Sequence, residues 1–478
     1  MTRLRVSVMD PVSSIRLSVA IAAARALSAG LRISGRGGGT AAPGLAALTI
    51  DPCIVRKVSA GLPGGVIVVA GTNGKTTTSR LLANILQASG LAVAHNRSGS
   101  NLMRGVASAF AECSTLRGRL HADVAVIEAD EAAFPEIVRM TAPRMVILNN
   151  LFRDQLDRYG ELNTIAKGWE PVLATLGPGA TIVVNADDPA LAAITDRVDA
   201  RRVYFGLDPG LHALHSLPHA ADAATCRRCG AELHYRALSV SHLGDWHCEG
   251  CGWARPALDV EGSNITLNGI ESLELDVRAG KRAPLGLHLS IPGLYNAYNV
   301  VAAVAASHAL EIDPAVVADA CMSFTAPFGR MERIRIEGRN ITLALVKNPV
   351  GFNEMLRMLT SGPAGLILPA LIAINDLDAD GRDVSWLWDV DFELLERGSA
   401  PLATTGIRGA DMANRLKYAG VVADRLELLP DDLRTALFEF VRGLPEGEPG
   451  FVLATYTAML ELRRVLAAAG LTKSFWDQ

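Results

Sequence analysis

Residues 66 to 78, VIVVAGTNGKTTT, run an apolar β-branched strand into a Gly-rich turn that ends in Gly-Lys-Thr. That order is the wiring of a phosphate-binding loop, and it constrains the fold more than any other feature of the chain. The run Val66, Ile67, Val68, Val69 delivers the turn at the edge of a sheet, and Gly71 and Gly74 free backbone N–H groups to close around phosphate oxygens. Gly71, Thr72, Asn73, Gly74, Lys75, Thr76 and Thr77 form the expected nucleotide-binding turn, with Lys75 on the β/γ-phosphates of ATP or GTP and Thr76 on Mg²⁺. Helical apolar spacing in TTTSRLLANILQASG, closing at Gly90, places a helix N-terminus against the anion. Val69 stands where the motif usually has its first glycine.

The whole-chain balance agrees with a nucleotide enzyme. A length of 478 residues is the length of about three domains. Charged residues are 20%, and 46 basic against 50 acidic residues leave a net charge of −4, which is no nucleic-acid footprint. The apolar stretch Ile15 to Leu31 is interrupted by Arg16 and Arg25 and broken at Gly30, so it reads as neither a spanning segment nor a signal peptide. Two readings stay open for it: an amphipathic helix packed on the next unit, or a membrane-surface contact.

Four of the seven cysteines form one set: Cys226 and Cys229, a gap of eighteen residues, then Cys248 and Cys251. Two C-x-x-C pairs offer four thiolates to one tetrahedral ion, so a structural Zn²⁺ is expected with no position left open for catalysis. The ribbon also carries Tyr235, Trp246 and Trp253, which could stack on nucleic acid. With Arg227 and Arg228 as its only adjacent basic pair, a folding staple is the favoured reading.

Elsewhere apolar strand-like runs alternate with helical stretches, which predicts an α/β fold with a mostly parallel sheet. VAVIEAD (Val124 to Asp130), RMVILNNL (Arg144 to Leu151) and TIVVNADDP (Thr181 to Pro189) each end in polar residues, so Glu128, Asn149 and Asp187 are expected where ligands bind. Glu128 is the candidate Mg²⁺ partner of Thr76. LNGIESLEL and APLGLHLSI read as antiparallel strands, and YNAYNVVAAVAASHAL as a tightly packed helix. A break near Thr325 to Gly329 precedes a second α/β unit.

GTNGKTTT, VIEADE, NLFRDQLDRYGE, NADDP, the Y-N-A-Y-N helix start and GRMER occur in the order seen in Mur ligases, which this chain resembles over nearly its whole length from Leu17. The four-cysteine insertion and NDLDADGRDVSWLWDVDFE narrow the resemblance to the synthetase subunits of lipid II isoglutaminyl synthases. The resemblance implies a Mur ligase-type central ATPase domain (61–325) with a zinc ribbon inserted at about 222–255. An N-terminal extension and helical segment (1–60) precede it, and a C-terminal Rossmann-like α/β domain (326–478) follows. It further implies ATP-dependent amidation of the D-glutamate α-carboxylate in lipid II, by way of an acyl phosphate. Ammonia would come from a separate class I glutaminase of the GatD type, in the cytoplasm at the inner face of the membrane, with no nucleic acid involved.

By the same resemblance Asn299 serves the adenine end of the nucleotide, Arg330 lies near the phosphates, and Asp383 completes a Cys-His-Asp arrangement in the partner's active site. Two departures stand out. Asp154, Gln155, Leu156 and Asp157 replace the family's Asp-His-x-Asp, and Lys167 lacks the spacing of the family's carbamylated lysine. A stand-alone ligase of the Mur or folylpolyglutamate type, and a nucleotide-switched zinc-ribbon binding protein, remain the alternatives.

Overall fold

The computed structural model describes residues 11–33, 41–96, 100–154, 162–219, 221–325, 331–360, 368–445 and 447–472. The phosphate loop leaves strand β1 (Val66–Ala70), which pairs in parallel with β3 (Val124–Glu128) on one side and β4 (Met145–Leu148) on the other. β1 is therefore a central strand, and the turn sits at the C-terminal end of the sheet rather than on an edge strand. The parallel run continues with β2 (Val93–His95) beyond β3, and with β5 (Thr181–Asn185) and β6 (Arg201–Leu207) beyond β4. Alternation in β1 explains the two-sided burial: Val66, Val68 and Ala70 join one apolar core, and Ile67 and Val69 the other.

The ribbon hairpin, β7 (His234–Val240) and β8 (Leu243–His247), stands apart as a two-stranded sheet. The main sheet resumes with β9 (Val260–Asn268), β10 (Ser272–Ala279) and β11 (Leu285–Leu289), giving the order β11-β10-β9-β6-β5-β4-β1-β3-β2. LNGIESLEL is thus not one strand. Asn268 ends β9, Gly269 takes φ +54°, and Ser272 opens β10 antiparallel to it. The expected helix after β11 spans Leu294–Ala309 and is buried almost throughout, its Ala and Val residues allowing close packing on the sheet and on the loop helix Lys75–Ala88.

A second sheet carries β12 (Glu332–Ile336), β13 (Arg339–Leu345), β14 (Ala370–Ala373), β15 (Leu402–Thr405), β16 (Leu426–Leu428) and β17 (Gly450–Ala454). Their order is β12-β13-β17-β14-β15-β16, parallel except for the β12–β13 hairpin. Arg333 ties this unit to the β9–β10 turn through Ile270 O and Glu271, and Arg357 reaches Ser239 O and His212 O. The N-terminal helix Pro11–Ile33 packs on the helices Ala41–Ile50 and Met103–Cys113. Among the described residues no helix is long and apolar enough to cross a membrane.

Candidate active site

The loop closes where only glycine fits. Gly74 has φ +86°, and a Cβ there would lie 1.9 Å from Asn299 Oδ1; Gly71 has φ +142°, and its Cβ would meet Asn149 Cβ at 2.9 Å. Asn150 clamps the turn, its Oδ1 accepting from Asn73 N (2.8 Å) and its Nδ2 donating to Asn73 O (3.1 Å). Thr72 bonds Phe152 through both its N–H-accepting and donating hydroxyl, at 3.0 and 3.1 Å. The helix Lys75–Ala88 then starts at Gly74 with no side-chain cap on its first N–H groups, as an anion-binding helix start does.

Lys75 is 6% exposed, and its ammonium donates to Gly71 O (2.5 Å), Thr72 O (3.3 Å) and Glu131 Oε2 (3.0 Å). Burial pushes the Glu131 carboxyl up from its ordinary range, against the pull of Lys75. Register places Glu128 beside Val69, and Thr76 Oγ1 donates to Glu128 Oε1 at 3.1 Å. Adjacent ligands of an octahedral Mg²⁺ lie about 3.0 Å apart for metal–oxygen bonds of about 2.1 Å. The pair therefore fits that ion.

An open cavity, about 820 Å³ including the part continuous with solvent, lies beside the loop, walled by Asn73, Gly74, Phe152, Tyr295, Asn299 and Met331 among others. Asn299 donates to Asn296 Oδ1 (3.0 Å), and its own Oδ1 lies 3.4 Å from Thr78 Oγ1, so it faces both loop and cavity. Beside the turn, Thr77 Oγ1 and Asn149 Oδ1 are buried with no hydrogen-bond partner among the described residues. Asp187 departs from the expectation of a ligand-facing end. It is wholly buried, accepting from Arg255 (2.8 Å), Tyr298 (2.6 Å) and Leu207 N (2.9 Å), and serves as an internal tie.

The C-terminal unit brings residues that the sequence did not single out. After β13, Lys347 Nζ donates to Asp154 Oδ2 at 2.6 Å and lies 3.5 Å from Thr72 O, while Asn348 and Asn73 exchange side-chain bonds at 3.0 and 3.4 Å. Asp154 Oδ1 is buried and has no hydrogen-bond partner among the described residues. Lys347 and Asn348 wall the nucleotide cavity on one side and, on the other, a cleft of about 420 Å³ that holds Arg153, Asp383, Trp386 and Asp389. Asp383 is exposed there, and bonds from Ser385, including Ser385 N at 2.8 Å, hold its carboxyl below the usual range. Its neighbours are committed: Asp376 to Arg408 (2.8 Å), Asp378 to Arg382 (2.8 Å), and Asp380 to Leu377 N and Thr457. Arg330, Gln155 and Asp157 lie outside the described residues, and Lys167 is exposed on its helix.

In the ribbon, Cys226, Cys229, Cys248 and Cys251 place all four Sγ atoms within 4.8 Å of one another, with Cys226–Cys251 at 3.7 Å and Cys229–Cys248 at 3.5 Å. Four sulfurs about 2.3 Å from one tetrahedral Zn²⁺ would sit about 3.8 Å apart, so the donor set fits that metal. The basic pair faces protein: Arg227 bonds Asn163 (2.8 Å), and Arg228 bonds Asp196 (2.7 Å) while stacking on Trp253. Trp246 donates to Ala186 O at 3.0 Å, which pins the ribbon to the end of β5.

Residues 69–224 match the Mur ligase middle domain family, and residues 345–459 match the MurT ligase C-terminal family. A lipid II isoglutaminyl synthase (glutamine-hydrolyzing) subunit MurT from Streptococcus pneumoniae is 32% identical over 444 residues, 91% of this chain and 94% of that protein. The subunit of the same name from Staphylococcus aureus is 31% identical over 80% of this chain and 84% of its own length. In fold the chain is similar to a pseudomurein peptide ligase type C from Methanothermus fervidus (TM-score 0.65, 20% identity, 85% and 79% of the two chains). It is also similar to MurF from Acinetobacter baumannii (TM-score 0.63, 16% identity, 88% and 79%). With its loop segment and its C-terminal unit matched by the two family models and most of its length by these relatives, the chain belongs to the MurT family of Mur-type ATP-dependent ligases.

Proposed function

We propose that this chain is the synthetase subunit of a lipid II isoglutaminyl synthase. It uses ATP to convert the D-glutamate α-carboxylate of the lipid II stem peptide into the amide of D-isoglutamine. A carboxylate oxygen is a poor leaving group, so the carboxylate first attacks the γ-phosphorus and releases ADP. Ammonia then attacks the acyl carbon, phosphate departs, and the nitrogen loses a proton. The relatives are named as subunits of a glutamine-hydrolysing enzyme. The ammonia source is accordingly a GatD-type class I glutaminase bound as a heterodimer, at the cytoplasmic face of the membrane. The working division is a leading segment (1–60), an ATP unit (61–325) with its ribbon (222–255), and a C-terminal unit (326–478) that meets the partner.

The observation that carries this reading is the shared wall of the two cavities. Lys347 and Asn348 separate the phosphate-loop cavity from the cleft that holds Asp383. In this reading Lys75 and the loop N–H groups hold the β/γ-phosphates, and Asn299 faces the base end. Mg²⁺ between Thr76 and Glu128 would neutralise phosphate charge. Phosphoryl transfer to a carboxylate brings two anions together, and Lys347, held by Asp154, supplies a second cation on the acceptor side. Asp383, kept ionised by Ser385, would orient a histidine of the partner glutaminase. Zn²⁺ on the four thiolates staples the ribbon and takes no part in the reaction.

Incubation of the purified chain with ATP, Mg²⁺, lipid II and an ammonium salt tests this. The amide and ADP should form, and glutamine should replace ammonium only when the partner is added. Condensation of a free amino acid without any partner would place the chain among stand-alone ligases, and ATP binding without either product would make it a nucleotide-switched binding protein.

A further inference from the structure

The N-terminal helix Pro11–Ile33 buries one face and leaves the opposite face apolar. Leu17, Ala20, Ile21 and Ala24 are at most 1% exposed, packed on the helices Ala41–Ile50 and Met103–Cys113. On the outer face Ile15 is 66% exposed, Val19 51% and Ile33 89%, with exposed Ala22, Ala26 and Ala29 between them. Steps of four and three residues put these six on one line. A surface helix of a water-soluble protein normally carries its charges there. In this helix the charges flank the line instead.

Exposed Arg16 donates to Ile50 O (2.6 Å), and half-buried Arg25 to Ala111 O (3.0 Å), Glu112 O (3.3 Å) and Ser114 O, bonds to neutral carbonyls that leave their charge intact. Arg32, its side chain 70% exposed, lies 3.4 Å from Glu112, whose side chain is 40% exposed. The neighbouring helix Ala41–Ile50 has no charged residue and adds Leu45, 55% exposed. From Pro11 to Ile50 the sequence has four arginines and no acidic residue, in a chain whose net charge is −4.

We propose that this face lies on an anionic lipid bilayer, with the helix flat in the headgroup region. Its apolar line would enter the acyl boundary while the flanking arginines meet lipid phosphates. A second copy is the poorer occupant, because among the described residues Glu112 is the one carboxylate paired with these arginines, and the remaining positive charges would face one another across the interface. The surface is argued from this helix alone and does not depend on the reaction proposed above. For a ligase acting on a lipid-linked substrate, it would hold the ATP unit at the membrane that carries that substrate.

The test is sedimentation of the full chain with phosphatidylglycerol–phosphatidylcholine vesicles and with vesicles of phosphatidylcholine alone, without nucleotide or substrate. The wild type should pellet with the anionic vesicles, less so in high salt, and stay in solution with the neutral ones. The variant Ile15→Ser/Val19→Ser/Ile33→Ser changes only exposed side chains and should melt like the wild type while binding about ten-fold more weakly. Three results would each overturn the proposal: no pelleting of the wild type, equal pelleting of the variant, or a wild-type dimer in light scattering that the variant abolishes. Because no turnover is read, loss of vesicle binding leaves the amidation assay untouched, and failure of amidation leaves this result standing.

Discussion

Replacing Lys347 by methionine keeps most of the side-chain volume and removes an ammonium 2.6 Å from Asp154 Oδ2. The structure separates two consequences. For stability, Lys347 is one-third exposed, so the ion pair itself is weakly worth keeping. Asp154, however, is 7% exposed, its Oδ1 has no partner among the described residues, and it would be left as a poorly solvated anion. A destabilisation of about 1–2 kcal/mol is expected. For turnover, loss of one preorganised cation at the transferring group costs about 10²–10³ in kcat, or about 3–4 kcal/mol. The double variant Lys347→Met/Asp154→Asn should recover the stability without recovering turnover, and Lys347→Arg should restore part of kcat. Ammonium-driven amidation bypasses the partner and reads kcat directly; thermal melts read the other term. A kcat in Lys347→Met within about threefold of wild type at saturating ATP would refute the second-cation argument.

Asp383→Asn should eliminate glutamine hydrolysis by the reconstituted pair while ATP binding and ammonium-driven amidation survive; unchanged hydrolysis returns Asp383 to the role of a loop carboxylate. The purified chain should contain one Zn²⁺, and Cys229→Ser should lower the melting temperature by several degrees with little change in nucleotide affinity, measured by elemental analysis and calorimetry. Because burial raises the folded-state pKa of Glu131 above its ordinary 4.5, its contribution to stability is fully present below that value and is lost as pH rises through the folded-state value. Without nucleotide, the stability of the wild type relative to Glu131→Gln should therefore fall between acid and neutral pH, and parallel curves would contradict this. Lys75→Ala should fold, abolish amidation, and steepen the same loss by leaving Glu131 without its cation.

What was legible in the sequence was local. The strand-turn-helix at Val66 to Thr78, the four cysteines and the parallel-sheet pattern each follow from spacing within a few residues. The central place of β1 did not follow, because strand order depends on contacts with β3 and β4, far along the chain. Asp187 ended a strand as a ligand residue would, yet Arg255 and Tyr298, 68 and 111 residues away, enclose it. Lys347 and Asn348 were missed because their meaning lies in Asp154 and Asn73, 193 and 275 residues distant. A Lys-Asn-Pro step directly after a strand was the available signal. Glu131 lies in the VIEADE segment, but its contact with Lys75 depends on how the segment after β3 folds back over the loop.

The central claim is that the D-glutamate α-carboxylate is activated as an acyl phosphate on this chain, and heavy-oxygen transfer tests it most directly. Lipid II labelled with heavy oxygen in that carboxylate is turned over with ATP and an ammonium salt, and the released phosphate is examined by mass spectrometry. The account predicts one labelled oxygen in each phosphate, formed in step with the amide and absent when Lys75 is replaced by alanine. Amide formation with unlabelled phosphate would contradict it.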